Sequence, residues 1–284
     1  MSASNQGPTG PTLSMCQSTY DFPLTSVNNG IQYWTVPTTK SYTIVAAGAG
    51  QSNSSTLNSV NEGYGVQLSA SFDLTAGTIL AILVGQQGLN SGHYSGGSGG
   101  TFVCTIPSAQ SSLGSATPLL IAGGSAGIGY EANAGGNQNV NGTIQPHANS
   151  GQFGPPTEAG VGGIGPNGST APTNFAYCWG DGGAGFSGNG AWSGRYGSFA
   201  NASLSFTNGG TGSTNGTHGG FGGGGSSSPS GGYASGGGGG GYGGGGAGGS
   251  DSIGAGGGGG SSYDASGAYS GSATNKGMGF VTIS

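Results

Sequence analysis

Charge is what this chain has least of. Of 284 residues, 3 are lysine or arginine and 8 are aspartate or glutamate, which gives a formal net charge of −5. Lys40, Arg195 and Lys276 are too few to neutralise a phosphate backbone, so no nucleic-acid partner is expected. Glycine-rich segments that bind RNA interleave arginine, and residues 219–260 contain none. Long apolar runs are missing too: nothing approaches the ~20 residues that cross a bilayer, so no membrane insertion is expected. The start, Met1-Ser-Ala-Ser-Asn5, lacks the basic and apolar regions of a secretory leader. Cysteine is scarce as well. Cys16, Cys104 and Cys178 have no metal-ligand spacing, and one disulfide plus a thiol or three free thiols fit equally. There is no Gly-Lys-Ser/Thr phosphate loop. Gly183-Ala-Gly-Phe-Ser-Gly188 has the spacing of a dinucleotide loop, but no acidic residue follows ~20 positions later to hold a ribose. No cofactor and no metal are expected.

Glycine is what is abundant. The chain has 72, and 26 of the 42 residues from Gly219 to Gly260 are glycine. Runs such as Gly222–Gly225, Gly236–Gly241, Gly243–Gly246 and Gly256–Gly260 have no side chains to bury and lose the most backbone entropy on ordering. One reading is a flexible linker. The other is a set of extended threefold helices rising ~3.1 Å per residue, with no internal hydrogen bonds. Their outward N–H and C=O groups must then bond to neighbouring segments, and only glycine permits that approach. Two features favour order. Single aromatics, Phe221, Tyr233, Tyr242 and Tyr263, punctuate the runs and could seal the sides of a bundle. A strand-like segment, Met278–Ser284, follows and must return to a folded body. No G-X-Y period exists beyond Gly7-Pro-Thr-Gly-Pro-Thr12, which excludes collagen.

The first 90 residues hold only 10 glycines and read as ordinary β-structure. Strands are expected at Ile31–Val36, ending at Pro37, and at Ser41–Ala46. Gly65–Phe72 places Val66, Leu68, Ala70 and Phe72 on one face, the period of a half-buried strand. Ile79–Val84 is continuously apolar, hence a strand buried on both faces. Gly100–Ile106 and Pro118–Ala122 complete the set, and no amphipathic helix is apparent. The expectation is an all-β, jelly-roll-like sandwich of about eight strands. Residues 1–122 form its body, 123–276 a glycine-rich insertion, and 277–284 a last strand that returns to the sandwich.

Candidate functional residues are few. His93, His147 and His218 are more than 50 residues apart in loop-like sequence, and the carboxylates are dispersed, so no catalytic residue is assigned. Trp34, Trp179 and Trp192 read first as core or bundle-edge residues. Trp179, Trp192 and Tyr196 are the candidates for an exposed interaction surface. Asn53, Asn141, Asn167, Asn201 and Asn215 each begin an Asn-X-Ser/Thr sequon, relevant if the protein is secreted.

A longer pattern runs through these pieces. Gly7-Pro-Thr-Gly-Pro-Thr12 is followed by Cys16 and Tyr20, then by Gly30-Ile-Gln-Tyr-Trp-Thr-Val-Pro37 and by Tyr42-Thr-Ile with Gly48-Ala-Gly50. Next come Ile82-Leu-Val-Gly-Gln-Gln-Gly88, Gly96-Gly-Ser-Gly-Gly-Thr-Phe-Val103 and Pro118-Leu-Leu-Ile-Ala-Gly-Gly124. His218-Gly-Gly-Phe-Gly-Gly-Gly-Gly225 and Gly236–Gly241 with Tyr242 end the series. Over nearly the whole chain this resembles the glycine-rich domain of the anaplastic lymphoma kinase and leukocyte tyrosine kinase receptors. The resemblance implies a tumour-necrosis-factor-like β-sandwich with an inserted bundle of polyglycine helices. The sequence departs from those receptors in having no kinase domain, transmembrane helix or growth-factor-like module. Their acidic cluster for basic cytokines has no counterpart beyond the isolated Asp251 and Asp264, so cytokine binding carries over to no residue.

The expected function is therefore a non-catalytic structural and interaction module, a rigid surface-displayed or fibre-forming protein of a virion or extracellular assembly. Its partners would be other copies of the chain or a surface protein or glycan, with a homo-oligomer or filament as the assembled form. The alternative is a soluble adhesin that recognises a protein or glycan; an enzyme ranks third.

Overall fold

The computed structural model describes residues 6–19, 23–24, 26–51, 63–91, 94–129, 140–151, 159–171, 180–193, 198–227, 234–249 and 254–284. In chain order these contain one short helix, α1 (Leu13–Thr19), and ten strands. The strands are β1 (Ser26–Asn28), β2 (Ile31–Thr35), β3 (Lys40–Ala47), β4 (Gly65–Leu74), β5 (Ile79–Leu83), β6 (Thr101–Ile106), β7 (Thr117–Ala122), β8 (Tyr263–Asp264), β9 (Gly271–Asn275) and β10 (Phe280–Ile283). They form two antiparallel sheets, one ordered β1-β2-β5-β6-β7-β8 and the other β10-β3-β4-β9. No helix among the described residues is long and apolar enough to cross a membrane.

The period-two pattern in the sequence sets the registers. Pairing of β3 with β4 brings Ile44 opposite Ala70 and Ala46 opposite Leu68 on the inner face. Thr43 and Ser71, paired on the outer face, stand with their hydroxyls 3.1 Å apart in solvent. The inner face of this sheet packs against Trp34, Leu80, Ile82, Val84, Val103 and Leu120 of the six-stranded sheet, so one core lies between the two. Asn29 (φ 48°) and Gly30 (φ 82°) make a two-residue turn between β1 and β2, the left-handed pair that such a hairpin requires.

The six-stranded sheet is buried on its other face as well. Ile31, Tyr33, Leu83, Phe102, Cys104 and Ile121 form a second core with Phe206 and Phe221, which arrive from the glycine-rich region. This explains the unbroken apolar run at β5: Leu80 and Ile82 face one core, Ala81 and Leu83 the other. Fully burying a phenylalanine such as Phe221 contributes about 1.5–3 kcal/mol, so the glycine-rich region is anchored where it carries side chains.

Six expected strands and the last one coincide with β2 to β7 and β10. β1, β8 and β9 were not legible. β9 reads Gly-Ser-Ala-Thr-Asn, an exposed edge strand with no apolar alternation, and it is located by pairing with β4 rather than by its own pattern. β8 and β9 belong to the sheets although they fall within 123–276, so the return to the sheets begins at Tyr263 rather than at 277.

Candidate functional site

On the distal side of β6 and β7 the chain leaves strand geometry but keeps going, through residues 95–100 and 123–129. Their hydrogen bonds repeat every three residues. Ser95 and Ser98 donate their N–H groups to Ile128 and Ser125, Gly96 and Gly99 to Leu89 and Gln86, and Gly97 and Gly100 to Gly225 and Gly222, all at 2.8–3.1 Å. Residues 236–242 repeat the rule. Gly236, Gly239 and Tyr242 donate to Ala255, Gly258 and Ser261, Gly237 and Gly240 to Ser95 and Ser98, and Gly238 and Gly241 to Asp181 and Ala184, at 2.8–3.3 Å. Donors three residues apart therefore reach the same neighbouring segment, and each segment has three neighbours to donate to. A β-strand would give a period of two, and an α-helix would bond within itself.

Glycine is required here because backbones touch. A Cβ built on Gly97, Gly183, Gly225, Gly237, Gly238 or Gly245 would lie closer than 3.0 Å to a carbonyl of the next segment. In each case the obstacle is main chain, which cannot rotate away as a side chain can. The same segments pair buried N–H and C=O groups with one another by lateral bonds, the partners such groups need away from water.

Among the described residues of these glycine segments, one carboxylate is buried. Asp181 is 1% exposed. Its Oδ1 accepts the N–H of Ser193 at 3.0 Å. Its Oδ2 accepts from Ser213 Oγ at 2.6 Å, Asn215 Nδ2 at 2.7 Å and Ser226 Oγ at 2.8 Å. A main-chain bond from Asp181 N to Ser226 O adds to the tie with that segment, and one from Gly238 N to Asp181 O brings in a further segment of chain. Burial pushes the carboxyl pKa up from its ordinary value, and the four donated bonds oppose that shift. The sequence reading did not single out Asp181. The available signal was a lone acid flanked by glycines in a nearly uncharged stretch.

The punctuating aromatics take distinct places. Phe221 lies within the second core, and Tyr242 and Tyr263 are half-buried beside it with ring centroids 4.6 Å apart. Phe186 stacks on Phe206 at 5.4 Å, and Phe206 on Phe102 at 5.2 Å, which continues the ladder onto the sheet. Tyr233 lies outside the described residues.

Of the three aromatics expected at an interaction surface, Trp179 and Tyr196 lie outside the described residues. Trp192 is half-buried and lines a crevice too small for a water molecule, with Gly160, Gly182, Ser193 and Ala247. Among the sequons, Asn53 lies outside the described residues. Asn167 and Asn201 are exposed, with Asn167 Nδ2 donating to Ile164 O at 2.9 Å. Asn141 Oδ1 accepts the Tyr64 N–H, and Asn215 is committed at both ends, to Ser198 N–H and to Asp181. Cys16 and Cys104 are buried and free, and Cys178 lies outside the described residues. No group of three or more His, Cys, Asp or Glu side chains among the described residues could hold a metal ion.

A cleft of about 470 Å³ opens on another face, where the 9–13 segment, the Asn29-Gly30 turn and residues 208–211 converge over Phe221. Phe221 and the 9–12 and Gly30 motif residues among its lining were noticed in the sequence, but nothing there placed them together in a cleft. They are separated by as many as 212 positions, from Thr9 to Phe221, and become neighbours only through the second core. No protein-family model matches the chain.

Proposed function

We propose that this protein is a non-catalytic structural and interaction module whose glycine-rich region is a bundle of polyglycine II helices mounted on a jelly-roll-like, tumour-necrosis-factor-like sandwich. The observation that carries the proposal is the three-residue period of the lateral hydrogen bonds, the period of a threefold extended helix. The winding supports the jelly-roll part. β3 and β4 pair in one sheet while β2 and β5, which flank them in sequence, pair in the other. The resemblance to the glycine-rich domain of the two receptor kinases favours the same architecture.

A bundle knit by backbone bonds has little freedom to bend, which suits a rigid element displayed on a virion or in an extracellular assembly. Its near lack of charge suits dense packing against copies of itself. The test is amide hydrogen exchange together with particle size. Slow exchange at Gly97, Gly225, Gly238 and Gly258, with concentration-dependent growth into filaments or lattices, is expected. Exchange at the unstructured rate at these amides would sink the bundle, and a strictly monodisperse monomer at all concentrations would sink the assembly role.

A second reading, the adhesin, is favoured by the uncharged cleft over Phe221. In that case the bundle serves as a stiff support and recognition resides on its surface.

A further inference from the structure

We infer that the cleft over Phe221 binds a neutral, hydroxyl-bearing ligand, a saccharide. This goes beyond the scaffold reading and does not depend on assembly.

The size is suitable: about 470 Å³ falls in the range of roughly 300–1,000 Å³ typical of small-molecule sites. The lining decides the chemistry. Among the described residues that line the cleft there is no Lys, Arg, His, Asp or Glu, so these walls offer a phosphate or carboxylate no counter-charge to replace its hydration. Its polar side chains are those of Thr9, Thr12, Thr211, Asn29 and Asn208, whose hydroxyls and amides can both donate to and accept from sugar hydroxyls; the Thr12 hydroxyl is also engaged with Ser14 and the Met15 N–H. Asn208 Nδ2 is held by Asn189 Oδ1 at 2.9 Å, which orients its Oδ1 as an acceptor. Pro11, Leu13 and Val27 supply apolar surface for the C–H face of a ring, and Leu13 remains 37% exposed at the rim.

The walls are preformed. Gly10 and Gly30 pack against each other and on the Phe221 ring so closely that a Cβ on either would collide. The 7–10 segment is pinned from behind, by Phe221 N donating to Gly7 O at 2.7 Å and Gly212 N donating to Pro8 O at 3.0 Å. A ligand therefore meets a site that needs little ordering, which reduces the entropic cost of binding.

The test uses the full chain and ligand-observed NMR titration with D-glucose, D-galactose, D-mannose and N-acetyl-D-glucosamine. D-glucuronic acid and mannose 6-phosphate serve as charged counterparts. Two variants probe the site. Thr211→Val removes a hydroxyl at constant shape, and Asn29→Gly removes an amide at a position whose left-handed backbone suits glycine. The expected result is saturable binding of at least one neutral sugar. It should be weakened about tenfold by each variant, as loss of one hydrogen bond implies, with thermal midpoints unchanged. The inference is overturned if no neutral sugar binds, if the charged sugars bind as well as their neutral parents, or if both variants bind like the wild type. None of these outcomes alters amide protection at Gly238, so failure here is separable from failure of the bundle.

Discussion

Replacing Gly238 with alanine asks whether the glycine segments are held at backbone contact. The new methyl group would meet Gly245 O, Gly245 C and Gly183 N, all main-chain atoms of neighbouring segments. To relieve the overlap, residues 236–242 must shift by on the order of 1 Å. That shift stretches Gly238 N to Asp181 O, now 3.0 Å, Gly225 N to Gly238 O, 2.8 Å, and Gly245 N to Gly239 O, 2.8 Å. Two or three buried polar groups left unpaired at about 1–3 kcal/mol each, less about 0.4–1 kcal/mol of unfolded-state entropy, predict a loss of about 3–6 kcal/mol. Such a loss is comparable to the whole stability of many domains. The comparison is Gly114→Ala, where the nearest atom to a new Cβ is Ser112 Oγ at 3.5 Å and φ lies outside the left-handed region. That variant should be neutral or more stable by up to about 1 kcal/mol. Denaturant midpoints for both variants, with hydrogen exchange at Gly97, Gly183 and Gly225, provide the measurement. If Gly238→Ala matches Gly114→Ala within about 0.5 kcal/mol and leaves protection intact, the contact-packing account is wrong.

Asp181 gives a pH prediction with a definite sign. Its folded pKa is raised, so its contribution to stability is present when the carboxyl is protonated, below the unfolded value, and is lost as pH rises through the folded one. The stability of wild type relative to Asp181→Asn should therefore rise as pH is lowered from 7 to 4, whichever is the more stable at pH 7; a fall in that relative stability on acidification refutes the sign. Glycan attachment should discriminate among sequons. Asn215 Nδ2 donates to Asp181, whereas Asn201 is exposed, so folded protein from a glycosylating host should carry sugar at Asn201 and none at Asn215. Glycopeptide mass spectrometry decides, and an occupied Asn215 in folded protein contradicts the geometry. Cys104 is fully enclosed, and burial pushes its thiol pKa up, so iodoacetamide should alkylate it only after unfolding. Labelling of Cys104 at full rate in native protein would show that the second core opens. Gln86 is buried with neither amide atom partnered, so Gln86→Met should raise stability by about 1 kcal/mol in thermal unfolding, and a loss of that size would reveal a partner for the amide.

Much of the sheet structure was legible because it follows from side-chain period. Val66, Leu68 and Ala70 alternate with polar neighbours, and they line the inner face of β4. The run at residues 79–84 has no polar face, and it forms the doubly buried centre of the larger sheet. β9 carries no such signal, since an exposed edge strand of Ser, Ala and Thr looks like loop. The glycine runs carry even less. Their sequence allows a linker or an ordered array, because with no side chains nothing local distinguishes the two.

The candidate sites were legible in proportion to how local their determinants are. Sequons can be read from three residues, yet whether Asn215 is available depends on Asp181, 34 positions away. Trp192 was noticed for its ring and read first as a core or bundle-edge residue, but its neighbours Gly160 and Ala247 were not legible. The cleft was invisible, since Thr9, Asn29 and Asn208 share no motif.

By itself, then, the sequence determined that the chain is mostly β-structure, that it has very little charge, and that its glycine runs must either find lateral partners or stay unstructured. Tertiary structure alone decided which partners. A glycine segment has no side chain to encode its neighbour, so the pairing of Gly97 with Gly225 or of Gly238 with Asp181 is imposed from outside. It comes from the sheet strands that launch residues 95–100 and 123–129, and from Phe206 and Phe221, whose burial fixes where the glycines lie.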